Sequence, residues 1–253
     1  MTDIVILAGA RTPIGSFGGA LSTLSPIETA THVTRAAMER AGVTPDQIGT
    51  VVFGHVLNTE PRDMYLSRVA AMQAGIPETV PAMNVNRLCG SGAQAVVSAV
   101  QSLLLGDAGF ALAGGAEAMS RAPYILPAAR FGQKMGDAQV VDMMLGALTC
   151  PFGTGHMGVT AENVAREYGI SRADQDAFAL ESQTRAARAI AEGRFQSQIV
   201  PIVRQTRKGD VVFDTDEHVK PATTLESLGK MKPAFKKDGS VTAGNASGIN
   251  DGA

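Results

Sequence analysis

The hydrophobic and polar positions in the first 118 residues alternate between two kinds of pattern. Short apolar runs occur at 4–8, 50–55, 82–85 and 110–114, and each has the length of a strand buried in a sheet. Longer segments with helical spacing lie between these runs. This order predicts an α/β sheet domain in which strands are followed by helices.

The predicted helices of this domain have recognisable ends. The run Ser25-Pro26-Ile27-Glu28 combines an N-cap serine, a proline at the first helical position and a glutamate at N3, which predicts a helix that ends near Gly42. A second helix is expected over 63–74. A third, without any charged residue, is expected over 93–105.

The alternation stops after residue 118, where prolines and glycines interrupt a stretch with little periodicity. We therefore expect a domain boundary near residue 119. Beyond it, one helix is predicted over 160–168 with Thr160 as its cap, and another over 171–192. A hairpin is predicted over 199–216, with its turn at 207–210.

Composition and charge restrict the function classes. The 253 residues are 45% hydrophobic and 18% charged, with 28 glycines, which is typical of a folded α/β protein. A net charge of −2 provides no overall attraction for nucleic acid or for an anionic membrane. Cys89, Cys150 and four scattered histidines have neither zinc-site spacing nor the density of a disulfide framework.

The first residues lack a signal-peptide pattern, and no apolar run is expected to approach membrane-spanning length. A reducing cytoplasm is therefore the simplest location. We expect no metal site and no nucleic-acid or membrane partner.

Cys89 is the strongest candidate for chemistry. It lies at a glycine-flanked turn between a predicted strand and a predicted helix. The first N–H groups of a helix are unpaired and its dipole is positive there, which suits a nucleophilic sulfur. Gly90 and Gly92 leave room for a substrate to approach. The alternative is that Cys89 is a small buried hydrophobic residue.

Four separated motifs stand out along the chain. In chain order they are Asn86-Arg87-Leu88-Cys89-Gly90-Ser91-Gly92, Gly114-Gly115-Ala116-Glu117-Ala118-Met119-Ser120, His156-Met157-Gly158 and Asn245-Ala246-Ser247-Gly248-Ile249-Asn250-Asp251-Gly252-Ala253. Together they resemble the motifs of thiolases, most closely acetyl-CoA acetyltransferases and related β-ketothiolases. The resemblance implies the α/β thiolase fold. Its N-terminal domain would be 1–118, resuming at 250–253, and an inserted α+β loop domain, 119–249, would cover the coenzyme A site.

The resemblance also implies an acyltransferase mechanism. Cys89 would attack an acyl-CoA, carry the acyl group as a thioester, and pass it to the carbanion of a second acetyl-CoA. In reverse, the same steps cleave 3-ketoacyl-CoA. Coenzyme A thioesters are then the substrates, no cofactor is permanently bound, and a homodimer or homotetramer is expected. The segment Thr59-Glu60-Pro61-Arg62-Asp63-Met64-Tyr65 is more similar to β-ketothiolases of broader chain length than to acetoacetyl-forming members.

Eight residues are placed at the coenzyme A site by the resemblance. Leu148 and Met157 would touch the pantetheine arm. The others would line the rest of the site: His156, Lys220, Ser227, Phe235, Ala243 and Ser247. Without the resemblance, His156 would be an ordinary packed histidine and the lysines a solvated face. Cys150 matches no motif, and we expect it to be structural.

Thiolases also carry an Asn-Glu-Ala-Phe motif, a Gly-His-Pro histidine that activates the nucleophile, and a second catalytic cysteine, none of which occurs in this sequence. We therefore expect an N-terminal portion of a catalytic thiolase, inactive alone, with apolar surface exposed where a C-terminal domain would lie. The alternative is a short thiolase-like protein that binds coenzyme A or a partner without turnover.

Overall fold

The computed structural model describes residues 3–207 and 209–253. The α-helices are α1 Pro26–Ala41, α2 Leu66–Gln73, α3 Ser91–Leu105, α4 Met143–Ala147, α5 Met157–Glu167, α6 Arg172–Ala191 and α7 Leu225–Gly229. The strands are β1 Gly15–Ser16, β2 Thr50–Gly54, β3 Ala82–Val85, β4 Ala111–Gly115, β5 Glu117–Ala118, β6 Tyr124–Ile125, β7 Val141–Asp142, β8 Thr149–Cys150, β9 Gly155–His156, β10 Ile202–Thr206, β11 Gly209–Phe213 and β12 Asn250–Gly252. The chain forms two compact units.

The first unit contains Met1–Pro123, Gln198–Glu217 and Asn250–Ala253. Its central sheet is parallel, in the order β3-β2-β4, and every residue of β2 is buried. The side chains of β2 alternate between two cores, as the pleat of a strand requires. Val51 and Phe53 join the core formed with α1 and α2, whereas Val52 packs with Ala95 and Ala99 of α3. Both faces of the sheet are therefore covered, as is usual for parallel sheets.

The predicted helix ends are partly confirmed. Ser25 and Glu28 form the capping box of α1, and Gly42 ends it with a φ of 64°. The second helix is shorter than predicted, because Pro61–Tyr65 forms a 3₁₀ helix before α2. The cap predicted at Thr160 is wrong, since α5 begins three residues earlier and is capped by His156.

The strand predicted at 4–8 does not form. A strand needs a hydrogen-bonded neighbour, and within the described residues β4 pairs only with β2 and is an edge of the sheet. An apolar groove of about 560 Å³ lies between residues 3–10 and β4. Along it Val5, Ile6 and Leu7 remain 69%, 85% and 55% exposed.

The expectation about membrane-spanning length also needs correction. The 18 residues Leu88–Leu105 are long and apolar enough to cross a membrane by length and composition. In the fold, however, α3 packs along β2 and β4, with Ala95 and Ala99 buried. Its other side exposes Leu104 and Leu105, in line with the apolar surface that was expected.

The predicted hairpin is present as β10 and β11, although Lys208 in its turn lies outside the described residues. We expected this segment in the inserted domain, but it belongs to the first unit. Backbone hydrogen bonds between Arg11 and residues 198 and 200 attach it there, and two carboxylates add to them. Arg11 makes two hydrogen bonds to Asp216, of 2.7 and 3.0 Å, and Glu217 accepts hydrogen bonds from the N–H groups of Ser16 and Ala20.

The second unit contains Tyr124–Ser197 and His218–Ile249. Its strands form only two-stranded ribbons, β6 with β7 and β8 with β9. The helix predicted over 171–192 is present as α6, which Ser171 caps together with Asp174, and α7 packs against α6.

The Arg11–Asp216 pair should therefore stabilise the first unit. Replacing Asp216 by Ala removes the carboxylate that accepts hydrogen bonds from the Arg11 guanidinium and from the N–H of Ile14. We expect the free energy of unfolding, measured by urea titration, to fall by about 2–3 kcal/mol. The exposed Asp214, replaced by Ala, is the matched control. Equal effects of the two substitutions would contradict this role.

Candidate functional site

Cys89 lies in the turn between β3 and α3 and is exposed. Because β2, β3 and β4 are parallel, their carboxyl ends share one edge of the sheet, and Cys89 follows that edge. Gly54, the last residue of β2, sets the position of the turn. A Cβ atom at Gly54 would lie 2.5 Å from the carbonyl carbon of Ser91, so only glycine lets α3 begin directly against β2.

The residue before Cys89 has an unusual backbone. Leu88 has a φ of 46°, and within the described residues it is alone among non-glycines in having a positive φ. A side chain in this region costs about 1–2 kcal/mol, so surrounding contacts must hold it there. The expectation that Cys89 sits at a helix start agrees with the structure, which has Gly90 as the N-cap of α3.

Glu117 and His55 meet at the same edge of the sheet. His55 Nδ1 lies 2.9 Å from the carbonyl oxygen of Ala116 and 3.5 Å from Glu117 Oε1. Glu117 also accepts hydrogen bonds from the N–H groups of Val56 and Leu57. Burial raises the pKa of Glu117, and this effect outweighs the lowering by His55 and by the two N–H groups. The pair therefore fixes the loop after β2.

The other eight predicted site residues all lie in the second unit, and the structure brings four of them into pairs. The N–H of Met157 donates to the carbonyl oxygen of Leu148 at 2.8 Å. The rings of His156 and Phe235 stack with their centroids 4.9 Å apart. His156 Nδ1 also accepts from the N–H of Gly158 at 3.0 Å, which caps α5 and fixes the orientation of its ring.

The remaining four predicted residues, Lys220, Ser227, Ala243 and Ser247, are exposed. Lys220 and Ser227 form hydrogen bonds with residues outside the predicted site. The N–H of Lys220 donates to Gln183, and Ser227 bonds to Thr224 at the start of α7. Ala243 and Ser247 belong to the small-residue segment 242–247. Of this segment only Ala243 and Ser247 are exposed, and their small side chains leave room for a ligand at these two positions.

Two buried carboxylates hold this segment, and sequence reasoning gave neither of them a role. Glu162 of α5 accepts from the N–H groups of Ser240 and Val241, both at 2.9 Å. Asp176 of α6 accepts from Asn245 at 2.9 Å and from Arg172 at 2.7 Å. In each helix the acidic residue occupies a position on the face that packs against the rest of the unit. An acidic residue on such a face is the signal in the sequence that could have identified it.

The charge of Glu162 is stabilised by its partners. Burial raises the pKa of Glu162. The hydrogen bonds from Ser240 and Val241 and the nearby Lys236 together lower it by more than burial raises it, so the net shift is downward. Such a group stabilises the fold above its unfolded-state pKa and loses that contribution as the pH falls through its folded-state pKa.

Two features of the described residues bear on metal binding and on a second thiol. Among residues 3–207 and 209–253, no three His, Cys, Asp or Glu side chains are grouped as metal ligands. The second cysteine, Cys150, lies in the other unit from Cys89. Hydrogen bonds from the side chain and backbone of Thr154 lower the pKa of its thiol.

Replacing Glu162 by Gln should destabilise the second unit by about 2 kcal/mol at neutral pH, because a charged acceptor of two N–H groups is lost. The difference from the unmodified chain should shrink as the pH falls below the ordinary pKa of a glutamate. Thermal unfolding across a pH series measures both effects. Glu167, exposed on the same helix and replaced by Gln, is the control. A difference that is independent of pH would contradict the assigned charge.

Comparison with known proteins identifies the family. A family model described as thiolase, N-terminal domain, matches residues 4–253. The β-ketothiolase BktB of Cupriavidus necator is 60% identical over 99% of this chain and 64% of its own length. An acetyl-CoA acetyltransferase of the same organism is 50% identical over 100% of this chain and 65% of its own length. The chain thus spans about two thirds, or slightly less, of these relatives.

Solved structures of thiolases have the same fold as this chain. The acetyl-CoA acetyltransferase of Bacillus anthracis superimposes with a TM-score of 0.94 at 45% identity, over 98% of this chain and 63% of that one. Human mitochondrial 3-ketoacyl-CoA thiolase in complex with CoA gives a TM-score of 0.93 at 40% identity, over 97% of this chain and 62% of that one. The α/β thiolase fold is therefore confirmed, and this chain belongs to the thiolase family, whose N-terminal domain it carries.

Proposed function

We propose that this chain is the nucleophile-bearing part of a β-ketothiolase that condenses two acetyl-CoA molecules or thiolytically cleaves 3-ketoacyl-CoA. The observation that carries the proposal is the exposed Cys89 in a strand-turn-helix of a thiolase N-terminal domain. The 60% identity to a β-ketothiolase supports the substrate class.

The chemistry proceeds in two balanced steps. The Cys89 thiolate adds to the thioester carbonyl, and coenzyme A leaves as a thiolate that takes up a proton, which produces an acyl-cysteine. The carbanion formed by removing a proton from the second acetyl-CoA then attacks the acyl carbon, and the Cys89 thiolate leaves. A thioester suits this role because its carbonyl stays electrophilic and thiolate is a good leaving group.

The proton transfers need groups that this chain does not carry. Thiolase-like catalysis requires a histidine to activate Cys89 and a second cysteine to act as acid and base at the substrate carbon. We place both in the part of the full-length protein that lies outside this chain, since the matched relatives are longer. The chain alone should accordingly be inactive.

The second unit is proposed as the inserted loop domain that binds coenzyme A. Leu148 and Met157, which are hydrogen-bonded to each other, would contact the pantetheine arm. The stacked His156 and Phe235, together with Ser247, would continue the site, with Ala243, Ser227 and Lys220 toward its outer part. The solved thiolase in complex with CoA supports this ligand.

Assembly and location are proposed on the same basis. We expect a homodimer or homotetramer in the cytoplasm, with the segment 123–141 extending between dimers. The expected partners are acyl-CoA molecules. We expect no permanently bound cofactor and no nucleic-acid or membrane partner.

Replacing Cys89 by Ser should lower kcat for thiolysis of acetoacetyl-CoA by the full-length protein about a thousandfold or more. The reason is that a serine hydroxyl is a much poorer nucleophile than a cysteine thiolate. Cys150 replaced by Ser is the matched control and should keep most of the activity. Full activity after loss of Cys89 would contradict the mechanism. Coenzyme A binding without any turnover in the unmodified full-length protein would favour the non-catalytic alternative.

Chain-length preference can be measured separately. A series of 3-ketoacyl-CoA substrates should show thiolysis of the five- and six-carbon substrates as well as the four-carbon one. Because one extra methylene changes binding by about 1–3 kcal/mol, the five-carbon substrate should lie within about 200-fold of the four-carbon one in kcat/KM. Reaction of the four-carbon substrate alone would instead indicate an acetoacetyl-specific enzyme.

A further inference from the structure

The turn that presents Cys89 contains a strained residue whose conformation must be held from outside. Leu88, with its φ of 46°, directly precedes the nucleophile, so any relaxation of Leu88 rotates the peptide that carries Cys89. Leu88 is 52% exposed, and packing of its side chain therefore contributes little to holding it. The conformation has to be maintained by hydrogen bonds to the backbone of the turn.

The side chain of Ser91 supplies two of these hydrogen bonds. Its Oγ accepts from the N–H of Arg87 at 2.8 Å and donates to the carbonyl oxygen of Leu88 at 2.6 Å. Ser91 is only 5% exposed, and its backbone lies against Gly54 of β2. The hydroxyl thus connects the two residues before Cys89 to the rigid start of α3.

The side chain of Asn86 holds the N–H group of Leu88. Its Oδ1 accepts the N–H of Leu88 at 3.0 Å, and Asn86 directly follows the end of β3. The N–H and the carbonyl of Leu88 are therefore both bonded to side chains, one anchored beside β3 and one at the start of α3.

We propose that Ser91 and Asn86 are positioning residues that clamp Leu88 in the left-handed conformation and thereby orient Cys89 for acyl transfer. The proposal rests on Cys89 being the nucleophile, as argued above. Both side chains act through the backbone of the turn, to which their hydrogen bonds run. Their effect is to fix the direction of the Cys89 side chain, and small errors in such positioning have large effects on rate.

The test measures the single-turnover release of coenzyme A when acetyl-CoA acylates the full-length protein. Ser91→Ala should slow this step by about tenfold or more, with KM for acetyl-CoA changed by less than about twofold, because positioning acts in the transition state. Asn86→Ala should slow it in the same sense by a smaller factor. Ser102→Ala, on the same helix, is the control and should leave the rate unchanged.

A second-site substitution separates positioning from general damage to the fold. Glycine adopts positive φ without strain, so Leu88→Gly in the Ser91→Ala background should recover most of the lost rate. A merely structural role for Ser91 would give no such recovery. If Ser91→Ala does not fold, Asn86→Ala alone and with Leu88→Gly provides the same comparison at an exposed position.

Failure of the proposal is distinguishable from failure of the proposed function. An unchanged acylation rate in Ser91→Ala, or a loss that Leu88→Gly does not recover, overturns the clamp. If the unmodified protein is not acylated at all, the function is wrong, and the clamp is then judged by alkylation of Cys89 with iodoacetamide, using Cys150 as internal reference. The clamp predicts that Ser91→Ala changes this ratio by at least about threefold and that Leu88→Gly restores it, since alkylation also depends on thiol orientation and access; an unchanged ratio overturns it.

Discussion

The close approach of α3 to β2 at Gly54 is the constraint on which the candidate site depends. Because Gly54 lacks a side chain, the first turn of α3 begins directly against the end of a fully buried strand. The turn before that helix therefore has to be tight, and Leu88 has a positive φ within it. Cys89 is exposed at the edge of a rigid sheet as a direct result. The start of α3 beside Cys89 is thus set by packing of backbone against backbone, which side-chain motion cannot easily relax.

Buried and partly buried carboxylates have the corresponding role elsewhere in the molecule. In the first unit, Asp216 and Glu217 hold the β10–β11 segment by accepting hydrogen bonds from Arg11 and from backbone N–H groups. In the second unit, Glu162 and Asp176 hold the small-residue segment that the coenzyme A proposal uses. Short ribbons and loops with small residues bury little apolar surface, so charge-assisted hydrogen bonds take over the ordering of these segments.

The sequence predicted what local chemistry determines. The capping box at Ser25, the helix that starts at Ser171 and the strand before Cys89 all follow from residue type and spacing, and the structure has them. The motif around Cys89 led to the thiolase family, which the comparisons confirm. Interactions between residues far apart in the sequence could not be predicted in this way. Nothing local indicates that residues 4–8 have no pairing neighbour among the described residues, that Arg11 bonds to a residue 205 positions away, or that His156 rather than Thr160 caps α5.

The central claim is that Cys89 carries the acyl group. Incubating the full-length protein with acetyl-CoA, quenching in acid and mapping the modified peptide by mass spectrometry tests this claim most directly. We predict one acetyl group per subunit on the peptide that contains Cys89, removed by added coenzyme A. Acetylation of another residue, or none at Cys89 in a protein that turns over substrate, would contradict the account.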